Sequence, residues 1–382
     1  VSAARSSCSQ SLAVFPSDRI QSRRMPTELL VNFNEFWTRL RADICAAQES
    51  VFIQTFALEG DAIGKELAEA LLVSPAKEKR ILADSFTRIV LSDQLRCAPS
   101  NLFDPKLKQE ARDTKLMRAQ LESFGIAIKF TNPYGASPRK FLSRNHKKLI
   151  VIDNRTAYIG GINFSEHNAA WHDMMFRIDD LDAVGFLHGD FVSTWDGRER
   201  PGQRNCESVE LLTLDGHDNR HTFQRVLKLI DRAERSIFVE SPYITFPFYE
   251  RLREAALRGV QVKVVTPEQN NWRLFRNYAR LESARSGIDL RLYRGMSHLK
   301  AMLIDEEYLV GGSSNFDYLS YRLYQEIVAI FTDRELINDF RRRVMRPDLA
   351  YATMVECHAS EIGKRWLDWQ TKLIDVAVSA LT

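Results

Sequence analysis

A histidine, a lysine, an aspartate, a glycine and an asparagine recur in this chain in one fixed order. The first copy runs from His146-Lys147-Lys148 through Asp153 to Gly160-Gly161-Ile162-Asn163, and the second from His298-Leu299-Lys300 through Asp305 to Gly312-Ser313-Ser314-Asn315. Both fit H-x-K-x4-D-x6-G-[GS]-x-N without a gap. Each fixed residue type makes up a few per cent of an average chain, so a chance match is improbable by roughly six orders of magnitude per start site. Two matches mark a duplicated device.

These residue types suit attack on a phosphodiester. Imidazole is a nucleophile and proton donor near neutral pH, with an unperturbed pKa of about 6.5. Lysine ammonium and asparagine amide groups are donors for non-bridging phosphate oxygens. One histidine can attack phosphorus while the other protonates the leaving oxygen, and the roles reverse as water or an alcohol resolves the phosphohistidine. A carboxylate follows each copy at similar spacing, Asp173 twenty-seven residues after His146 and Glu326 twenty-eight after His298. By accepting the Nδ1 proton, such a group fixes the tautomer and leaves Nε2 free for phosphorus.

The residues between the fixed positions say which elements carry them. Leu149 to Ile152 and Ala301 to Ile304 are short apolar runs, each followed by a polar turn and a second apolar run. This pattern predicts a buried strand, a tight turn and a second strand. Residues two apart share a face of a strand, so His146 and Lys148 point one way, as do His298 and Lys300.

The paired motif resembles that of the phospholipase D superfamily, and its surroundings are similar to the cardiolipin synthase branch. Besides the two motifs and Phe316-Asp317, Phe52-Ile53-Gln54-Thr55-Phe56-Ala57 with Asp61-Ala62-Ile63-Gly64, and Glu240-Ser241-Pro242-Tyr243, carry the resemblance, which covers residues 19–345. It implies an α/β fold of two similar phospholipase D-type lobes, each a mixed, mostly parallel sheet flanked by helices, with the active site at their interface. On it, His146 is the nucleophile and His298 the general acid and later base. Lys148, Lys300, Asn163 and Asn315 bind phosphate, Asp173 and Glu326 orient the histidines, and Asp153, Asp305, Gly160, Gly161, Gly312 and Ser313 are structural parts of the motif. No metal and no cofactor are implied. The first copy departs from the pattern where Gly161 stands in place of a serine, and Asp173 is shorter than Glu326 and one residue out of step.

The flanking chain repeats an order of elements. Phe33, Phe36, Trp37, Leu40 and Ile44 predict a helix before the strand Val51–Thr55, and Ile63, Leu67, Ala70 and Leu71 one after it. Phe223, Val226, Leu227 and Ile230, then Ile237 to Glu240, then Leu252, Ala255 and Ala256 repeat that order. The organisation expected is an N-terminal arm over 1–24, a first domain over 25–200, a second over 201–345 and a helical tail over 346–382, with Pro201 to Asn205 as the linker. The first half carries extra residues over 86–123, polar and helical in pattern, which read as a lid or as a surface connection.

Composition sets limits. The chain has 382 residues, 45% hydrophobic and 27% charged, with a formal net charge of +3, an ordinary soluble balance that argues against a general nucleic-acid coat. Five scattered cysteines suggest a reducing compartment. Residues 1–24 are rich in serine and arginine without an apolar run, as in a transit-type segment or a disordered arm rather than a secretory signal. A basic stretch free of acids leads into His146, with Tyr134, Arg139, Lys140, Phe141 and Arg144 as candidates to face substrate or membrane. The tail places Ile362, Trp366, Trp369, Leu373 and Val376 at helical spacing, packed on the fold or lying on a bilayer. His167 and His172 lack counterparts in the second copy and read as wall or structural residues.

The expected activity is phosphatidyl transfer between alcohols, with an anionic phospholipid such as phosphatidylglycerol as substrate. The expected setting is a cytoplasmic, peripherally membrane-associated enzyme with a monomeric active unit. A phospholipase D hydrolase, a nuclease or nucleic-acid phosphodiesterase and a non-catalytic lipid-binding scaffold are the alternatives. A basic stripe across both lobes would favour the nuclease, an apolar rim the lipid enzyme.

Overall fold

The computed structural model describes residues 27–134, 138–270 and 273–355, together with Trp369. The arm over 1–24 and, Trp369 apart, the tail helix expected beyond Glu361 lie outside the described residues.

Two sheets carry the repeat. The first has the strand order Thr27–Val31, Met174–Ile178, Thr156–Gly160, Leu149–Ile152, Ser50–Thr55, Glu78–Asp84, Ala127–Thr131. In the second, Val209–Asp215, Gln325–Phe331, Tyr308–Gly312, Ala301–Ile304, Ser236–Glu240, Gln261–Pro267 and Asp289–Tyr293 follow in the matching order, flanked by Gly202–Asn205 and Thr353–Met354. Ser50–Thr55, Glu78–Asp84 and Ala127–Thr131 run parallel, as do their counterparts, but the motif strands and their outer neighbours are antiparallel. The sheets are mixed as expected; the mostly parallel pairing is corrected to mostly antiparallel. The cause is local: each motif is a hairpin, and a hairpin pairs antiparallel.

The tight turns of those hairpins hold Asp153 and Asn154, and Asp305 and Glu306, at positive φ. Asp153 accepts the backbone N–H groups of Gln48, Glu49 and Ser50 at 2.8–3.0 Å, and Asp305 those of Glu234, Arg235 and Ser236 at 2.8–2.9 Å. Burial pushes both carboxyls up, and these three donors outweigh it and hold each below the usual carboxylate range. Each aspartate thus fastens its hairpin to the start of the neighbouring parallel strand.

Alternation along the strands divides the core. Leu149 and Val151, with Ala301 and Leu303, join an apolar cluster shared by both halves. Ile150 and Ile152 face the first half's helices, and Met302 and Ile304 the second's. At the seam the rings of Phe176 and Phe331 lie 4.4 Å apart, and a Cβ on Gly311 would come within 2.6 Å of the Phe176 ring. Helix Asn32–Ala46 buries Phe33, Phe36, Trp37, Leu40 and Ile44, the five residues its periodicity singled out. Burying each such large apolar side chain contributes about 1.5–3 kcal/mol relative to exposure.

Two segments differ from expectation. Gly202–Asn205, expected within a linker, is an edge strand paired with Val209–Asp215. Within the extra segment of the first half, a small hairpin at Val90–Leu91 and Gln94–Leu95 precedes helix Pro105–Ser123, which packs through Leu107, Met117 and Leu121. No helix among the described residues is long and apolar enough to cross a membrane.

Candidate active site

The site lies where the two sheets meet, and backbone pairing across that seam assembles it. The N–H of His146 donates to the carbonyl of Gln325 at 2.9 Å, and the N–H of His298 to the carbonyl of His172 at 2.7 Å. Each motif histidine is therefore zipped to the strand approach of the opposite half. The carboxylates follow this crossing. Nδ1 of His146 donates to Oε1 of Glu326 at 2.9 Å, and Nδ1 of His298 to Oδ2 of Asp173 at 2.7 Å. All four side chains are buried.

These contacts set the protonation states. Burial, then the neighbouring Lys148, pushes the His146 imidazole down against the opposing pull of Glu326. Burial and Lys300 hold His298 down to about 4. Without ligand, both rings are neutral near pH 7, with the proton on Nδ1 and the Nε2 lone pair free. Lys148 and Lys300 are 1% exposed, and each donates to the carbonyl of its own histidine. Burial brings Lys148 down to about 7 and Lys300 to about 8.

The asymmetry at Gly161 has a physical reason. In the second half, the Ser313 hydroxyl donates to Oε2 of Glu326 at 2.5 Å and accepts the N–H of Ile327 at 3.0 Å. In the first half, Asp173 itself accepts the N–H of Met174 at 2.8 Å while its other oxygen holds His298. A Cβ on Gly161 would lie 2.3 Å from that carboxylate. The shorter acid and the missing side chain are one arrangement: the aspartate fills the serine's place and does its work. Backbone pairing of Gly161 with Met174 and of Ser313 with Ile327 shows that the two acids hold equivalent positions, so the extra residue lies in the intervening loop.

Asn163 and Asn315 are also buried here. Nδ2 of Asn163 donates to Oδ1 of Asn168 at 2.9 Å, and the Oδ1 atoms of Asn163 and Asn315 have no hydrogen-bond partner. Gly160 and Gly312 allow close backbone approach, since a Cβ would meet the carbonyls of Met174 and Ile327 at 2.4 and 2.2 Å. The rings of Phe56, Tyr324 and Trp171 wall the histidines at 5.0–5.8 Å. Together these groups bring two neutral imidazoles and two buried lysines to the seam between the sheets, which suits displacement at phosphorus.

The basic stretch before His146 is largely interior. Arg144 was expected to face substrate or membrane; it is 2% exposed, pairs with Asp84 at 3.1 Å and stacks over Tyr134 at 4.9 Å. The Tyr134 hydroxyl is buried, and its ring also packs on Phe141. Lys147 pairs with Asp190 at 2.7 Å. Lys140 is exposed and Phe141 is 48% exposed, so these two remain on the surface; the Arg139 side chain lies outside the described residues. His172 is hydrogen-bonded through its two ring nitrogens to Asn32 at 2.7 Å and Asp348 at 2.9 Å.

A family profile described as "Cardiolipin synthase, PLD-like domain" matches residues 40–195 and 226–346, one segment around each histidine. The chain belongs to this family. Its members are phospholipid-modifying transferases and phosphodiesterases, and the chain is an enzyme of that kind. It is 28% identical over 341 residues to cardiolipin synthase B of Salmonella typhi, covering 80% of this chain and 76% of that one. To cardiolipin synthase B of Escherichia coli (strain K12) it is 27% identical over 348 residues, covering 82% and 78%. Phosphatidylserine synthase of Haemophilus influenzae Rd KW20 shares the fold, with a TM-score of 0.66 at 13% identity over 94% of this chain and 95% of that one.

Within this cardiolipin synthase-like frame, sequence reasoning missed several supporting residues. Ser320 donates to Oε1 of Glu326 at 3.1 Å, and Tyr324 flanks His146. Gln54 donates to Asn145 at 2.9 Å, and Ser297 to Glu240 at 2.6 Å, at matching positions just before the two histidines. The repeat carried the signal for this last pair, because Gln54 and Glu240 lie in matching strands opposite Leu149 and Ala301.

Proposed function

We propose that this enzyme is a phosphatidyltransferase that exchanges alcohols on a phospholipid phosphodiester through a covalent phosphohistidine on His146. The observation that carries the reading is the crossed pair of buried histidines, each held at Nδ1 by a carboxylate of the other half and each beside a buried lysine. Nε2 of His146 attacks phosphorus, the bond to the departing alcohol oxygen breaks, and His298 supplies that oxygen with a proton. A second alcohol then gives its proton to His298, its oxygen attacks phosphorus, and the bond to His146 breaks. The phosphodiester anion offsets Lys148 and Lys300, which raises His298 toward the protonated acid that the first step needs. Lys148, Lys300, Asn163 and Asn315 serve as phosphate donors.

The substrate is an anionic glycerophospholipid such as phosphatidylglycerol, the acceptor a hydroxyl of a second one. Names of relatives and the family support this class. Burial of Arg144, Lys147 and Lys148 takes three cations out of the stripe that a nuclease would need, which favours lipid over nucleic acid. Exposed Lys140 and Phe141, on the short helix Pro138–Leu142 leading into the site, suit peripheral contact with an anionic bilayer. One chain supplies both halves of the site, which supports a monomeric active unit. Incubation with liposomes containing phosphatidylglycerol, followed by mass analysis, tests the reading. Cardiolipin and free glycerol are expected; phosphatidic acid alone would make the enzyme a hydrolase, and no lipid product would sink the proposal.

A further inference from the structure

Beneath the second histidine, three elements remote in sequence close on one buried point. Glu240 closes strand Ser236–Glu240, Asp348 belongs to helix Arg346–Tyr351, and His172 lies just before strand Met174–Ile178. Carboxylate oxygens of Glu240 and Asp348 and a ring nitrogen of His172 lie within 4.8 Å of one another. Nε2 of His172 is hydrogen-bonded to Oδ2 of Asp348 at 2.9 Å, and the Ser297 hydroxyl donates to Oε1 of Glu240 at 2.6 Å. The other oxygen of Glu240, Oε2, is buried and, as a carboxylate oxygen, has no hydrogen-bond partner.

Two buried carboxylates this close repel each other, and burial penalises each charge. Glu240 is 0% exposed and Asp348 4%. His172, Asp173 and Tyr293 stand around the pair, and Asp173 adds a further negative charge. A proton on Oε2 of Glu240 removes the conflict, because the acid then donates to Asp348 while Oε1 still accepts from Ser297. The repeat supports that state. Gln54 holds the matching place in the first half, opposite Leu149 as Glu240 is opposite Ala301, and its neutral amide reaches Asn145 as Glu240 reaches Ser297. We propose that Glu240 is a neutral carboxylic acid that shares its proton with Asp348 and, through Ser297, acts as a positioning residue for His298.

Burial first, then Asp348, pushes the Glu240 carboxyl well above the usual carboxylate range, as that sharing requires. Ser297 is the residue before His298. His172 grips the same stretch through its backbone, donating to the carbonyl of Met296 at 3.1 Å and accepting the N–H of His298 at 2.7 Å. Its neighbour Asp173 holds Nδ1 of His298. The proton between Glu240 and Asp348 thus joins the two segments that set the angle between His298 and its carboxylate. An ionised Glu240 would repel Asp348 and, with it, the His172–Asp173 segment.

The inference rests on His298 as the acid of the proposed transfer, and its test has one readout that does not. In the full chain carrying isotope-labelled glutamate, the Glu240 carboxyl carbon is assigned by loss of its signal in Glu240→Gln. At neutral pH it should show the chemical shift of a protonated acid; a carboxylate shift overturns the proposal. Phosphohistidine formation from phosphatidylglycerol, whose leaving alcohol needs a proton, should fall at least about tenfold in Glu240→Ala and recover in Glu240→Gln. From phosphatidyl-p-nitrophenol, whose leaving group departs without a proton, the loss in Glu240→Ala should be far smaller. Equal losses on the two esters, or no recovery in Glu240→Gln, overturn the positioning role. If Glu240→Ala fails to fold, Ser297→Ala, which cuts the same link, decides by the same comparison. If the wild type forms no phosphohistidine from either ester, the reading of the reaction fails with the positioning role, and the carboxyl shift alone decides whether Glu240 and Asp348 share a proton.

Discussion

His146 and His298 look alike in the sequence, but their supports differ in chemistry. One histidine rests on a glutamate tied down by Ser313 and Ser320, the other on an aspartate lying over Gly161. A one-methylene change in the acid is matched by loss of a hydroxymethyl group opposite it. It follows that Gly161→Ser alone puts a Cβ into the Asp173 carboxylate and turns His298 out of line. Transfer should fall at least about tenfold, as for a displaced acid–base group. Adding Asp173→Glu converts the first copy to the pattern of the second and should recover much of the loss. A double-mutant cycle on the transfer rate measures this. Additive losses would mean that the two positions do not act as a unit.

At the level of elements, the hairpin and the aspartate under its turn form the repeating piece. Asp305 satisfies three backbone donors and has no contact with the reacting groups among its hydrogen bonds. Asp305→Ala is expected to cost about 1–3 kcal/mol, the usual penalty for stranded donors. This appears as a lower urea midpoint with unchanged slope, and covalent labelling of His146 should persist in the folded fraction. Unaltered stability with labelling lost would move Asp305 into the chemistry. The hairpins and the helices with five or four apolar residues at 3.6 spacing were legible in sequence because the pattern that marks them is local. Strands Thr27–Val31 and Val209–Asp215 were not expected, since Met174–Ile178 and Gln325–Phe331, which tie them into their sheets, lie more than a hundred residues away. Pro201 to Asn205 misleads for a related reason: its polar composition suits a linker, and only backbone pairing makes it a strand. Arg144 and Lys147 read as surface charge because Asp84 and Asp190, which neutralise them, are remote in sequence.

For the molecule as a whole, the exchange of carboxylates across the seam makes neither half chemically complete. Sequence spacing pairs each acid with the motif before it, whereas the folded chain pairs it with the other. Glu326→Gln, a change in the second half, should therefore act on His146, the proposed nucleophile, in the first. Glu326 pulls the His146 imidazole up against burial and Lys148, so removing its charge lowers that value further. A nucleophile is active in its neutral form, and its rate falls as pH drops through its pKa. In single-turnover labelling with a phosphodiester substrate, the acid limb should thus move to lower pH in Glu326→Gln. The plateau should also drop, because an amide no longer fixes the Nδ1 tautomer. Asp173→Asn should leave that acid limb in place, and it should weaken instead the protonation of the leaving oxygen by His298, most of all at high pH. Were Asp173→Asn to shift the His146 limb and Glu326→Gln to leave it unmoved, the carboxylates would serve their own halves and the crossed assembly would be refuted.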